Sequence, residues 1–184
     1  MKLTAVLMFL PCATIAQTFD TPPAFTVDRV TVDALSTNTC LSARIAEGPA
    51  ALVTQEARDC IGTTANACEA DPVICAGIEQ SYWDWRIAQN YAGLQAWVSA
   101  KRDIPQYDSL RASTENPAGA TANVALECAL RINLQDQPET APLDLARCQM
   151  RETALIALEL EFTVRQACAG KQEGAFADFC AEGD

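Results

Sequence analysis

The cysteines restrict the possible folds of this chain more than any other feature of its sequence. There are nine cysteines among 184 residues and no histidine. Eight of the cysteines lie beyond residue 16: Cys40, Cys60, Cys68, Cys75, Cys128, Cys148, Cys168 and Cys180. An even number of cysteines in an exported chain predicts disulfides formed in an oxidising compartment. Without histidine or a repeated short-spaced cysteine pair, we expect no metal site.

The N-terminal segment predicts export. One basic residue, Lys2, precedes an apolar run over residues 3–10, and small residues follow. This order is typical of a secretory signal peptide, which we place at residues 1–16. Two alternatives remain open. One is a cytosolic chain with an apolar N-terminus, and the other is a lipoprotein modified at Cys12, for which Phe9-Leu10-Pro11 is a poor recognition sequence.

The rest of the chain predicts one domain. No other apolar run reaches the ~18 residues that a membrane span needs. Residues 17–184 are enough for a single domain with its own core, ending in a loose acidic tail. We therefore expect a periplasmic or secreted protein without a membrane span.

The charge of the chain limits its partners. The net charge is −11, and removal of the signal peptide leaves 12 basic against 24 acidic residues, a net charge of −12. Such acidity argues against nucleic acid and anionic membranes as partners. It favours a basic protein partner, or it serves solubility alone.

Asp71-Pro72 is the clearest helix start in the chain. The Asp side chain accepts hydrogen bonds from free N–H groups, and Pro at the first helical position loses no donor. Apolar residues at helical spacing then continue to about Lys101. They are Ile78, Trp83, Ile87, Tyr91, Leu94 and Val98. This pattern predicts one long helix.

Similar patterns predict further helices over residues 117–133 and from Pro142 to Ala169, with short helices before Asp71. We expect residues 17–27 to be extended and residues 104–115 to form a long loop. No segment alternates with the period of a strand. The prediction is an all-α fold, a small disulfide-stapled helical bundle with two or three long helices and short N-terminal helices.

Helix geometry narrows the disulfide pairing without settling it. Eight cysteines allow roughly a hundred connectivities. Cys148 and Cys168 lie on one predicted helix about 30 Å apart, too far for a disulfide. Pairing of successive cysteines suits the predicted turns, and we predict that pattern. The pairs are Cys40–Cys60, Cys68–Cys75, Cys128–Cys148 and Cys168–Cys180.

The sequence predicts no catalytic, metal-binding or cofactor-binding residue. Without histidine, Ser-His-Asp and Cys-His sites are impossible, and no phosphate-binding loop is present. Carboxylate pairs remain, namely Glu79 with Asp84 and Glu159 with Glu161. A glycosidase places such a pair in a cleft. We expect these four carboxylates on solvated helix faces instead, and no enzymatic activity.

The aromatic residues near the middle of the chain have two interpretations. Trp83 and Tyr91 follow the apolar stripe, so we expect them in the core. Trp85 lies off that stripe and either forms a second packing face or contacts a partner.

The predicted long helix carries Cys75, Glu79, Trp83-Asp84 and Tyr91, and Thr153 follows Cys148 on the last predicted helix. With these residues, the segment from Cys60 to Glu161 resembles the lysozyme inhibitor LprI-like family of bacterial exported proteins. The sequence departs from the family pattern at Ala88 and Ile156, and it lacks the Trp-x-x-x-Arg-Asp that is expected ahead of Cys128.

The resemblance implies a small disulfide-bonded helical domain and inhibition of lysozyme. In this chain Glu79, Trp83, Asp84, Tyr91 and Thr153 would be mainly structural. Lysozymes are basic, so an acidic exported protein is compatible with that activity. The rival hypotheses are a cell-envelope structural or interaction module without inhibitory activity, and a hydrolase that uses a carboxylate pair.

Overall fold

The computed structural model of the protein describes residues 22–100, 105, 108–133 and 139–169. The predicted signal peptide, the C-terminal tail beyond residue 169 and the Cys168–Cys180 pair lie outside the described residues, as does the side chain of Trp97.

Seven helices and one β-hairpin make up the described part of the chain. The strands are β1 (Ala24–Val27) and β2 (Val30–Asp33). The helices are α1 (Leu35–Ala46), α2 (Gln55–Arg58), α3 (Thr63–Ala67), α4 (Pro72–Ala100), α5 (Asp108–Thr114), α6 (Val124–Asn133) and α7 (Ala141–Ala169). Two short 3₁₀ helices span Pro49–Val53 and Pro117–Ala120. The prediction of a small disulfide-stapled helical protein is confirmed.

Helices α4 and α7 form the centre of the fold. Each has 29 residues and is therefore about 43 Å long. They pack on each other more extensively than any other pair of described elements. Their shared core also takes in residues from the N-terminal elements. The largest members of that cluster are Leu41, Leu52, Tyr82, Trp83, Ile87, Met150 and Leu158. No helix of the described residues is both long and apolar enough to cross a bilayer.

Helix α4 begins where the sequence predicts, at Pro72. Asp71 Oδ1 accepts a hydrogen bond from the Val73 N–H at 2.8 Å, as expected of a residue that caps a helix. The buried face of α4 is broader than its apolar stripe, because Glu79, Arg86 and Asn90 are buried on it as well. Polar residues on the buried face explain why the apolar pattern described the helix only in part.

The β-hairpin was not predicted from the sequence. Its strands pair in antiparallel register with Val27 opposite Val30, so only Asp28 and Arg29 form the turn. Both have positive φ, 46° and 72°, as a two-residue hairpin turn requires. Glycine or asparagine usually marks such a turn, and neither is present. Each strand also has only four residues, which is too short for a clear alternating pattern.

A second difference lies between α4 and α6. The predicted loop over residues 104–115 contains α5 over residues 108–114. Asp108 in its first turn forms an ion pair with Arg111 at 2.8 Å. Such a pair three residues apart supports a short helix, although the segment has no apolar stripe.

Three of the four predicted disulfides are confirmed. Cys40–Cys60, Cys68–Cys75 and Cys128–Cys148 have Cα–Cα distances of 5.6, 5.8 and 5.7 Å. The first ties α1 to the segment after α2, the second closes the corner before α4, and the third joins α6 to α7. Each disulfide therefore connects neighbouring elements of the bundle.

Candidate functional site

Glu79 lies in the core and holds the N-terminal end of α3. Its side chain is 0% exposed. Oε1 accepts hydrogen bonds from the Gly62 N–H at 2.6 Å and the Trp83 indole N–H at 3.2 Å. Oε2 accepts one from the Ala65 N–H at 2.7 Å. Burial raises the pKa of Glu79, and the hydrogen bonds from Ala65 and Gly62 oppose that rise.

A second buried polar network links α4 to α7. Arg86 donates to Glu161 Oε2 from Nε at 3.1 Å and from Nη2 at 2.6 Å, and both side chains are 1% exposed. Glu161 Oε1 accepts a further hydrogen bond from Arg165 Nε at 2.9 Å. The Tyr82 hydroxyl accepts from Arg86 Nη1 at 2.9 Å and donates to Asn38 Oδ1 at 3.1 Å. Burial raises the pKa of Tyr82 to about 12.

The expectation for the four carboxylates holds for two of them. Asp84 and Glu159 are exposed on their helices, as predicted. Glu79 and Glu161 are buried, so their predicted solvated position is wrong. A charged residue on a helix usually faces water, but these two have fixed partners that are distant in sequence or belong to the backbone. The structure therefore separates the members of each pair, with one in the core and one at the surface.

The predicted positions of the aromatic residues are confirmed. Trp83 is fully buried, and Tyr91 is partly buried against the same core. Of the two alternatives for Trp85, the structure shows the packing face. Its ring centroid lies 6.0 Å from that of Tyr82 and 6.5 Å from that of Phe25 in β1. The hairpin therefore covers Trp85.

Thr153 is buried on α7, and its hydroxyl oxygen has no hydrogen-bond partner within the described ranges. Together with Glu79, Trp83 and Tyr91 it lies inside the scaffold, whereas Asp84 remains at the surface. The residues that carry the family resemblance therefore stabilise the fold more than they form a surface.

A concave groove lies between the α2–α3 region, the start of α4 and α7. Its volume is 390 Å³. Three arginines line it, and we call it the arginine groove. They are Arg58, Arg147 and Arg151. The other lining residues are Gln55, Ile61, Gly62, Ala65, Asn66, Pro72, Ala76, Met150 and Leu155.

The arginine groove is cationic although the chain is acidic. No acidic residue of the described ranges lines it. The three arginines are exposed, and none of them forms an ion pair within the part of the chain that the structure describes. Arg147 and Arg151 lie one turn apart on α7. Like charges at this spacing repel each other.

Covalent and hydrogen bonds fix the walls of the arginine groove. Each confirmed disulfide contributes a cysteine next to a lining residue: Cys60 precedes Ile61, Cys75 precedes Ala76, and Cys148 follows Arg147. The buried Glu79 carboxylate accepts hydrogen bonds from the N–H groups of Gly62 and Ala65, and so fixes the backbone of these two lining residues. Gly62 has a φ of 93°, a backbone conformation that favours glycine.

The arginine groove was not predicted from the sequence. Its arginines are 89 or more residues apart between α2 and α7, so no local motif joins Arg58 to Arg147. The available signal was the spacing of Arg147 and Arg151 on one helix face of an acidic chain.

Within the described ranges, no group of three or more His, Cys, Asp or Glu residues is placed to hold a metal ion. Comparisons with protein-family models, with curated proteins and with solved structures found no match to this chain.

Proposed function

We propose that the mature chain is an exported protein-binding protein and that a basic muramidase of the lysozyme type is its target. The proposal joins the family resemblance to the charge of the chain. With the signal peptide removed, 24 acidic residues face 12 basic ones. Such an excess accelerates encounter with a strongly basic partner, and salt weakens that effect.

The observation that carries the proposal is an exposed apolar pair on α6, which we call the α6 ridge. Leu126 and Leu130 are 61% and 57% exposed, the two largest exposures among the large apolar residues of the described chain. They lie one helical turn apart, with the exposed Glu127 beside them. Apolar side chains in a polar surround are typical of protein contacts.

The α6 ridge is held rigidly. The Cys128–Cys148 disulfide joins the inner face of α6 to α7, and Arg131 forms an ion pair with Glu152 of α7 at 2.8 Å. A surface fixed in this way loses little conformational freedom on binding. The ridge and the net negative charge of the chain together suit a basic partner with an apolar contact region.

Lysis of cell walls by lysozyme tests this function. Micromolar mature protein is expected to slow lysis at low ionic strength, with inhibition falling as salt is added. The Leu126→Ser/Leu130→Ser variant is expected to lose inhibition by about tenfold or more, since a buried apolar anchor contributes ~1–3 kcal/mol. Leu35→Ser, at a residue 47% exposed on α1, is the matched control and should inhibit like the wild type. Undiminished lysis at low salt would contradict the proposal.

The apolar character of the α6 ridge also favours a second candidate, a cell-envelope interaction module without inhibitory activity. An apolar contact needs no basic partner. This candidate predicts that the wild type captures a defined envelope protein and leaves lysis unchanged. The Leu126→Ser/Leu130→Ser variant would then lose that capture, and Leu35→Ser would keep it.

A further inference from the structure

We propose that the arginine groove binds a small amphipathic anion, a molecule with one carboxylate or phosphate group and an apolar body. The first support is the charge. Arg58, Arg147 and Arg151 bring three cations to one concavity that no acidic residue lines. A guanidinium group forms paired hydrogen bonds with a carboxylate or a phosphate, so these anions match the arginines in geometry as well as charge.

The second support is the shape and lining of the groove. Its volume of 390 Å³ falls within the range of small-molecule sites. Five apolar residues also line the groove, namely Ile61, Ala65, Ala76, Met150 and Leu155. A purely inorganic anion would leave this part of the surface uncovered. The lining therefore selects a ligand whose apolar body buries it.

The third support is the pairing of the backbone along the α3 wall. The N–H groups of residues 62–66 all donate within the protein, to Glu79, to Thr37 and to backbone carbonyls. The wall therefore offers no free backbone edge to an extended peptide. The side chains of the three arginines and of Asn66 remain as the donors for the anionic group, which favours a small ligand over an acidic peptide.

The groove is also preorganised. Disulfides at Cys60, Cys75 and Cys148 adjoin its lining, and Glu79 holds Gly62 and Ala65. Fixed walls reduce the loss of freedom that binding would otherwise cost. This inference is independent of the proposed muramidase target, since the contact there lies on the α6 ridge and none of the groove residues belongs to α6.

Calorimetric titration of the disulfide-intact protein tests the proposal. The probes are decanoate and decyl phosphate below their micelle concentrations, with decanol and decyltrimethylammonium as neutral and cationic controls. Saturable binding of one equivalent is expected for one or both anions and for neither control. The comparison of decanoate with decyl phosphate identifies the preferred anionic group.

Variants locate the binding. Arg147→Gln/Arg151→Gln is expected to weaken binding of the anion by about tenfold or more, and Arg58→Gln alone is expected to weaken it by a smaller factor. Arg29→Gln/Arg44→Gln removes two positive charges outside the groove as a control. Its affinity for the anion should lie within about twofold of that of the wild type. All of these arginines are at least partly exposed, so the variants should keep the wild-type circular dichroism spectrum.

Three results would overturn the proposal. The first is no saturable binding of either anion. The second is equal weakening by Arg29→Gln/Arg44→Gln and Arg147→Gln/Arg151→Gln, which would show a response to net charge alone. The third is tighter binding of a pentaglutamate peptide that Arg147→Gln/Arg151→Gln abolishes, which would assign the groove to an acidic peptide.

Discussion

Glu79 is one of two buried carboxylates among the described residues, and it stabilises the fold through its hydrogen bonds. It accepts hydrogen bonds from two backbone N–H groups and one indole. An unpaired buried N–H group costs roughly 1–3 kcal/mol, so Glu79 removes two such costs at the α3 wall. The same burial raises the pKa of its carboxyl group.

The raised pKa of Glu79 should make the free energy of unfolding depend on pH. Because its folded pKa is raised above the ordinary value of 4.5, the folded state keeps the proton after the unfolded chain has released it. The stability linked to this proton is present below the unfolded pKa and is lost as pH rises through the folded pKa. The free energy of unfolding of the wild type minus that of Glu79→Gln should therefore decrease over this window.

Chemical denaturation at closely spaced pH values measures that difference, and the other carboxylates cancel in it. Glu79→Gln should also be less stable than the wild type at every pH, because its amide places a donor against one backbone N–H. A difference that is flat or increases with pH would contradict the raised pKa. Glu159→Gln, at an exposed carboxylate, is the matched control and should give a difference near zero.

At the scale of single elements, α6 depends on its covalent link. Its inner face buries only Val124 and Cys128, whereas Leu126 and Leu130 are exposed. A ten-residue helix with so little buried surface is marginal in isolation. The Cys128–Cys148 disulfide therefore stabilises the position of α6 to an unusual degree.

Removal of this disulfide should release α6 selectively. Cys128→Ser/Cys148→Ser is expected to lower the free energy of unfolding by ~2–4 kcal/mol and to speed hydrogen exchange in α6 before α4. Cys40→Ser/Cys60→Ser is the matched control, since both pairs are separated by 20 residues. That variant should speed exchange in α1 and leave α6 protected. Equal loss of protection throughout the chain in both variants would contradict a local role.

Elements with a strong local signal could be predicted from the sequence. Asp71-Pro72 marked the start of α4, and successive cysteines gave three correct disulfides. The hairpin was missed because Arg29 stands at the turn position where glycine is usual, and α5 because it has no apolar stripe. Of the two supported sites, the exposure of the α6 ridge and the assembly of the arginine groove depend on tertiary packing, which local patterns do not contain.

Across the whole molecule, the Arg86–Glu161 pair connects the two long helices. Removal of one member of a buried ion pair is far more destabilising than replacement of both. Arg86→Met should therefore cost ~3–5 kcal/mol, because Glu161 would remain buried with Arg165 as its one ionic partner among the described residues. Arg86→Met/Glu161→Leu should recover much of that loss.

Denaturation of the two single variants and the double variant measures the coupling between these residues. Arg131→Met, at the largely exposed pair with Glu152, should cost less than about 1 kcal/mol and serves as the control. If the loss of stability in the double variant equalled the sum of the losses in Arg86→Met and Glu161→Leu, the pairing of the two residues would be contradicted.

The order of the disulfides along the chain has a consequence for biosynthesis. Cys40–Cys60, Cys68–Cys75 and Cys128–Cys148 each join a cysteine to the next one in sequence. If the predicted signal peptide with its Cys12 is removed first, an oxidant that acts on the chain from its N-terminus would join each of these cysteines to its correct partner as soon as that partner appears. No wrong bond then has to be exchanged, so we predict that oxidative folding of these three pairs needs a thiol oxidase and no disulfide isomerase.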